Sequence, residues 1–201
     1  MVEPLSIEPG RSALLVMDYQ VGIVAMHAAG SAAALERATA VLAAARRAGL
    51  AVIYIQVGFR QGHPEVSPRN QSFSAISQSG RFVLGEADTE IHPALAPRAG
   101  DLIVVKHRVS AFAGTDLETI LRAREINTLM MIGIATSGVV LSTIRHAADA
   151  DYRLVVVKDC CLDRDEGVHR CLTEKVFPRQ ATVLTSDEIL PVLRSSTQGP
   201  A

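Results

Sequence analysis

Two charged side chains follow apolar runs of the kind that form buried strands. Asp18 ends the run that starts at Ser12, and Lys106 ends the run that starts at Asp101. A carboxylate next to an ammonium stays ionised and can accept a proton from an activated group. The two residue types therefore suit acid–base chemistry if the fold brings them together. Taken singly, Asp18 also fits a helix cap or a structural salt bridge, and Lys106 fits a solvated residue that closes a strand.

A run of small residues follows a further apolar stretch. Residues 129–134 are unbroken and apolar, residues 135–138 read Ala-Thr-Ser-Gly, and helical spacing begins at Val139. A strand that turns through small residues into a helix points backbone N–H groups at whatever lies above it, and these would stabilise an anionic oxygen. An ordinary tight turn between a strand and a helix has the same composition, so this stretch by itself is not specific.

The elements that must position these groups alternate along the chain. The pattern predicts strands over residues 12–18, 51–57, 101–106, 128–134, 153–159 and 181–185, and helices over residues 31–48, 115–124, 139–148, 164–176 and 186–193. Such alternation is typical of an α/β fold, a Rossmann-like, three-layer α/β/α arrangement with a parallel sheet covered on both faces.

Ligands of open α/β sheets bind beyond the carboxyl ends of the strands, near the switch point of strand order. Asp18, Lys106 and the 135–139 turn all lie at carboxyl ends, so we expect them at one rim. Residues 58–100 form a long, irregular segment with many Gly, Pro and Ser residues. A segment of that length is more typical of a functional loop or lid than of a linker.

Length and composition limit the class of protein. The 201 residues can bury a full core, and we expect one domain over residues 1–201 with a flexible tail over 194–201. The net charge of −1 and the lack of a basic block argue against nucleic acid as a partner. No long apolar segment or signal peptide is recognisable, which argues against membrane association. Three cysteines, an odd number, indicate a reducing cytoplasm.

Four stretches of the chain, in this order and at this spacing, carry a resemblance to a known family. They read LLVMDYQ (14–20), VKHRVSAFAGTDL (105–117), GIATSGVV (133–140) and DYRLVVVKD (151–159). The set resembles the isochorismatase-like hydrolase superfamily, which also holds nicotinamidases, N-carbamoylsarcosine amidases and other cysteine hydrolases.

The resemblance implies a six-stranded parallel sheet of order 321456 and a triad of Asp, Lys and Cys. By motif position, Asp18 matches the general base and Lys106 the lysine of the triad. Ala135 and Val139 match the residues whose backbone N–H groups form the oxyanion hole. The resemblance also implies a cis peptide bond between Ile134 and Ala135, a small-molecule substrate, and a homodimer or larger homo-oligomer.

One departure from the family pattern bears directly on the chemistry. Val139 stands where most members carry the nucleophilic cysteine, and valine has no lone pair with which to attack a carbonyl. Cys160, Cys161 and Cys171 are expected to be buried small hydrophobes. The alternative, a relocated nucleophile among them, would need an electropositive, accessible setting. Ser137 is a weak substitute, since no histidine is obviously placed as its base. The resemblance also covers isochorismatases proper, which lack the cysteine and cleave a vinyl ether with the aspartate as acid.

No cofactor and no metal are expected. Nicotinamidase-like members carry an Asp and several His after the second strand, whereas here His63 is alone, and a lone loop histidine is most simply solvated. Arginines could clamp a carboxylate substrate or lie solvated at the surface; they are Arg60, Arg69, Arg81 and Arg108. Phenylalanines could wall a pocket or pack the long segment onto the sheet. The candidate pocket residues are His107, Phe112, Thr136, Ser137 and Gly138.

Two function classes are therefore open. The first is a hydrolase that uses Asp18 and Lys106 without a thiol on a small metabolite, which would be anionic if the arginines clamp it. The second is a catalytically inactive pseudoenzyme that retains the pocket for ligand binding or assembly.

Overall fold

A single six-stranded parallel sheet lies at the centre of the computed structural model, which describes residues 7–196. Its strands are β1 (Ser12–Met17), β2 (Ala51–Val57), β3 (Leu102–Lys106), β4 (Thr128–Ile134), β5 (Arg153–Leu162) and β6 (Thr182–Leu184). They lie in the order β3-β2-β1-β4-β5-β6. The parallel α/β sheet and the order implied by the resemblance are both confirmed.

Seven α-helices are seen in the described residues. They are α1 (Val21–Met26), α2 (Ala28–Arg47), α3 (Gln71–Ser79), α4 (Leu117–Ala123), α5 (Leu141–Asp149), α6 (Glu166–Cys171) and α7 (Ser186–Ser195). Helices α1 and α3 were not predicted. Helix α7 runs two residues beyond its predicted end and so includes the start of the predicted tail; residues 197–201 lie outside the described part. Within residues 7–196, no helix is both long and apolar enough to cross a membrane.

The two faces of the sheet support separate cores. Strand β1 is buried along its whole length, and its alternate side chains belong to different clusters. Leu14 and Val16 face the cluster that includes α2 and α7, whereas Leu15 and Met17 face the cluster that includes α4 and α5. A central strand buried on both faces explains why its sequence is continuously apolar.

The long segment after β2 packs onto the sheet through aromatic side chains. Phe59, Phe73 and Phe82 are buried, and the rings of Phe59 and Phe73 meet edge to face at 5.7 Å. The expectation that His63 is solvated is wrong: its side chain is buried, Nε2 lies 2.7 Å from the carbonyl oxygen of Arg81, and its ring packs against Phe59.

A buried glutamine ties this segment to the sheet. Gln20 Nε2 donates to the carbonyls of Val57 and Thr89 at 2.8 and 2.9 Å, and Gln20 Oε1 accepts the N–H of Val57. These bonds satisfy polar groups that are shut off from water. The segment is therefore anchored beside the carboxyl ends of β1 and β2.

Candidate active site

Asp18 and Lys106 form a buried ion pair at the carboxyl rim of the sheet. Asp18 directly follows β1, has a left-handed backbone (φ 56°), and donates its N–H to Ile55 at 2.8 Å. Lys106 ends β3, and its Nζ lies 2.9 Å from Asp18 Oδ2. The two residues are 5% and 2% exposed. The solvated alternative for Lys106 is therefore wrong, and Asp18 is not a helix cap, since Gln20 takes the N-cap of α1.

The two carboxylate oxygens of Asp18 have different surroundings. Oδ2 faces the ammonium of Lys106, which also donates to the carbonyl of Arg108 at 3.1 Å. Oδ1 is buried and has no hydrogen-bond partner among the described residues. Burial raises the pKa of Asp18, and the charge and hydrogen bond of Lys106 counteract part of that rise. The backbone of Val57 adds a smaller lowering, although its N–H donates to Gln20 Oε1. An ion-paired carboxylate with one open, buried oxygen suits proton transfer to or from a bound molecule.

The turn after β4 has the backbone that the resemblance implies. The Ile134–Ala135 peptide bond is cis, as predicted. The carbonyl of Ala135 accepts the N–H groups of Gly138 and Val140, at 3.1 and 3.3 Å, within a wide π-type turn over Thr136–Val140. The N–H of Ala135 has no acceptor among the described residues.

A glycine brings this turn against β1. Gly133 pairs with Met17, so the positions that follow, Ile134 and Asp18, are neighbours across adjacent strands. A Cβ added at Gly133 would lie 3.0 Å from Met17 Cβ, 3.1 Å from Met17 O and 3.1 Å from Val140 Cγ2. The absence of a side chain at Gly133 therefore permits the close approach that places the turn beside Asp18.

Val139, which the sequence resemblance matches to the family nucleophile, is an apolar, buried residue. It is 2% exposed and belongs to the core cluster on the α5 face of the sheet. Cys160 and Cys161 are buried, and burial raises the pKa of Cys161 to about 12. The expectation of burial is wrong for Cys171, which is exposed.

Two of the candidate pocket residues, Phe112 and His107, make their contacts with residues other than Asp18 and Lys106. Phe112 is buried and stacks on His146 of α5, with ring centroids 4.4 Å apart and planes within 2°. Phe112 therefore packs the loop between β3 and α4 against α5. His107 Nδ1 lies 2.6 Å from the carbonyl oxygen of Gly58. The ring position of His107 is therefore fixed by the end of β2.

His107 also lines a cavity of about 410 Å³, whose other lining residues are Glu65, Arg108, Ala113 and Gly114. Arg108 Nη1 donates to the carbonyls of Glu65 and His107, at 3.1 and 2.6 Å. The carboxylate of Glu65 is paired with Arg60 at 2.6 Å. Two of the residues that line the cavity, His107 and Arg108, directly follow Lys106 in the sequence.

The remaining candidate pocket residues lie in the turn after β4. Two of them form hydrogen bonds with His169 and Asp163, which the sequence analysis did not identify. Thr136 is fully buried, and its Oγ1 lies 2.8 Å from Nδ1 of His169. The N–H of Ser137 donates to Asp163 Oδ2 at 2.7 Å, and Gly138 is partly buried. The available signal was positional: Asp163 follows β5, the strand next to β4, as a polar residue at the same carboxyl rim.

The described residues contain no group of three or more His, Cys, Asp or Glu side chains placed to hold a metal ion. The chemistry that this arrangement supports is proton transfer by the Asp18–Lys106 pair, next to a turn whose backbone N–H can bind a developing negative charge.

Comparisons with known proteins agree with this geometry. A family model described as the isochorismatase domain matches residues 12–188. The ureidoacrylate amidohydrolase RutB of Rhizobium rhizogenes is 32% identical, with 78% of this chain and 72% of that protein covered. A maleamate amidohydrolase of Pseudomonas putida is 27% identical, with coverages of 92% and 87%. A crystal structure of a cysteine hydrolase from Pseudomonas syringae pv. phaseolicola superposes with a TM-score of 0.85 at 27% identity, over 98% of this chain and all of that one. This chain therefore belongs to the isochorismatase family of hydrolases.

Proposed function

We propose that this protein hydrolyses a small amide-bearing metabolite with Asp18 and Lys106, and that water takes the place of the thiol nucleophile. The observation that carries the proposal is the buried, unpartnered Oδ1 of Asp18, whose other oxygen is held by Lys106 at 2.9 Å. Burying an unpaired oxygen is costly, and it persists where a substrate or water completes it.

Each group has a defined part in this reaction. Asp18 Oδ1 takes a proton from a water molecule as the water oxygen bonds to the amide carbonyl carbon. The carbonyl oxygen, now negatively charged, is bound by the N–H groups of Ala135 and Val139. The C–N bond then breaks, and Asp18 returns the proton to the departing nitrogen, which leaves an acid and an amine. Lys106 keeps Asp18 ionised before it takes the proton and again after it has returned it.

The substrate is proposed to be a small amide that also carries a carboxylate. Relatives of this chain act on ureidoacrylate and maleamate, which combine the two groups. Arg108 supports this choice, since its Nη1 is fixed by two carbonyls beside a cavity, and guanidinium forks bind carboxylates well. We also propose a homo-oligomer in a reducing cytoplasm; light scattering of the purified protein checks the first point.

The test is a hydrolysis panel with purified protein, read by mass spectrometry in ¹⁸O-labelled water. The panel holds ureidoacrylate, maleamate, uncharged amides of the same size and a vinyl ether. We expect turnover of an amide, ¹⁸O in the acid product, and a fall of at least about a hundredfold in kcat for Asp18→Asn. Iodoacetamide should leave the wild-type rate unchanged. Asp101→Asn is the matched control, because it also breaks a largely buried ion pair, with Arg46, but before β3 begins.

The second candidate is a binding protein without turnover, and the buried Val139 favours it by removing the nucleophile. Stoichiometric binding of a panel compound by calorimetry, with no product in any reaction, would select this class over hydrolysis. Cleavage of the vinyl ether alone would instead make Asp18 an acid.

A further inference from the structure

Two side chains outside the proposed catalytic set hold consecutive residues of the turn. His169 Nδ1 lies 2.8 Å from the hydroxyl of Thr136, and Asp163 accepts the N–H of Ser137 at 2.7 Å. Thr136 is fully buried, and its hydroxyl is already paired with the ring of His169. The contact with His169 therefore links the turn to α6.

The two holding residues are themselves fixed. Asp165 caps α6 by accepting the N–H of Val168 at 3.1 Å, and the N–H of His169 donates to the carbonyl of Asp165 at 3.0 Å. Thr173 donates its hydroxyl to the carbonyl of His169 at 2.9 Å. Asp163 stands one residue beyond β5, whose last residue, Leu162, pairs with Ile134 at the end of β4. The segment after β5 thus meets the turn from the neighbouring strand.

The charge state of His169 suits a hydrogen bond from Thr136. Half-burial lowers the pKa of His169, which favours the uncharged ring, and with its proton on Nε2 that ring accepts at Nδ1. The carboxylates of Asp163 and Glu166 act in the opposite direction, and so does that of Glu174. Lys158 adds to the lowering.

We propose that His169 and Asp163 are positioning residues: they hold Thr136 and Ser137 so that the N–H groups of Ala135 and Val139 face the substrate oxygen. This inference rests on the proposed hydrolysis for its kinetic consequence. Its structural content, a turn held by α6 and the end of β5, is tested without any substrate. N–H groups that bind an oxyanion are effective only if their directions are fixed. The hydrogen bonds of His169 to Thr136 and of Asp163 to Ser137 fix the turn that carries them.

The experiment compares His169→Leu with His169→Asn in ¹⁵N-labelled full-length protein. Leucine keeps apolar bulk and removes the acceptor, whereas the asparagine oxygen lies near the place of Nδ1 and restores it. The readout is hydrogen exchange at the amides of Gly138 and Val140, which donate to the carbonyl of Ala135. We expect exchange to be about tenfold faster in His169→Leu and within about threefold of wild type in His169→Asn, in keeping with one buried hydrogen bond. Arg170→Leu, an exposed change in the same helix, is the control.

A paired variant separates the bond from general destabilisation. Thr136→Val removes the hydroxyl with little change in volume, so the double variant with His169→Leu should exchange no faster than either single variant.

Once a substrate is known, His169→Leu should lower kcat about tenfold and leave KM within about threefold, and His169→Asn should recover most of kcat. Unchanged exchange in His169→Leu, an Asn variant as impaired as Leu, or additive effects would each overturn the positioning role. Full turnover by Asp18→Asn would refute the hydrolysis proposal and leave the exchange result standing.

Discussion

Replacing either residue of the Asp18–Lys106 ion pair should destabilise the protein strongly. Replacing both should cost less stability than the sum of the two single losses. The variants are Asp18→Asn, Lys106→Met and the double variant. Asparagine is the suitable replacement because residue 18 has a left-handed backbone (φ 56°), which asparagine tolerates well. The substitution therefore isolates the loss of charge from any change in backbone strain.

The expected magnitude follows from burial. With side chains only 7% and 3% exposed at a separation of 2.9 Å, the pair is screened little by water. Removing one partner of such a pair costs about 3–5 kcal/mol, because the other charge stays buried and uncompensated. That is a large part of the roughly 5–15 kcal/mol that stabilises a typical domain. The double variant leaves no unpaired charge, so its loss should be smaller than the sum of the two single losses.

The pH dependence gives an independent check. Burial already raises the pKa of Asp18, and Lys106→Met removes the charge and hydrogen bond that counteract the rise. The folded pKa then exceeds the unfolded pKa by a wider margin, so the folded protein binds more protons than the unfolded chain between the two values. The free energy of unfolding must fall as pH rises through that window, from about pH 4 up to the folded pKa, at up to about 1.4 kcal/mol per pH unit. In the double variant this slope should be absent.

Urea denaturation followed by circular dichroism from pH 4 to 8 measures both effects. Arg122→Met is the control, since Arg122 forms an exposed pair with Glu118 and its loss should have little effect. Two results would refute the reasoning: strictly additive losses in the double variant, or a Lys106→Met protein whose pH slope matches that of wild type.

Two further substitutions probe the turn. Val139→Cys, made in a Cys171→Ser background to remove the exposed thiol, should give a thiol more acidic than free cysteine, since it would lie near the start of α5. If iodoacetamide alkylates this thiol no faster than a model thiol at neutral pH, the turn does not activate a thiol at position 139. Gly133→Ala should destabilise the protein by about 1–3 kcal/mol, because the added methyl group meets Met17 at 3.0 Å, whereas Gly10→Ala, with open space around it, should have little effect by the same urea assay.

The elements that position the site could be predicted from the sequence because their signals are local. Strand β2 was predicted over 51–57 and is found over Ala51–Val57, since a buried parallel strand reads as an uninterrupted apolar run. The same signal located Asp18 and Lys106 at strand ends. The strand order and the cis bond before Ala135 came from the family resemblance, which encodes long-range pairing that periodicity does not contain.

The side-chain contacts of the site could not be predicted in the same way. His169 lies 33 residues from Thr136, and nothing in the local pattern of either residue indicates the other. Phe112 sits inside a family motif yet packs on His146, because ring stacking depends on the angle between a loop and a helix. His63 is buried although it follows a glycine in an irregular segment, since the aromatic ring of Phe59 gives it a packing surface. Each case depends on tertiary geometry.

The strand order has a consequence for how the protein is made. The chain builds the sheet outward from β1 to the β3 edge, then returns to the centre at β4 and builds outward to β6. Asp18 and Lys106 therefore both lie in the half of the sheet formed by β1–β3, whereas the turn at residues 135–139 follows β4 in the other half. Within the sheet the two halves meet along one seam, where residues 12–17 pair with residues 128–133. During synthesis the buried charges at residues 18 and 106 emerge before the strand that encloses them, so the site becomes complete only when that seam closes.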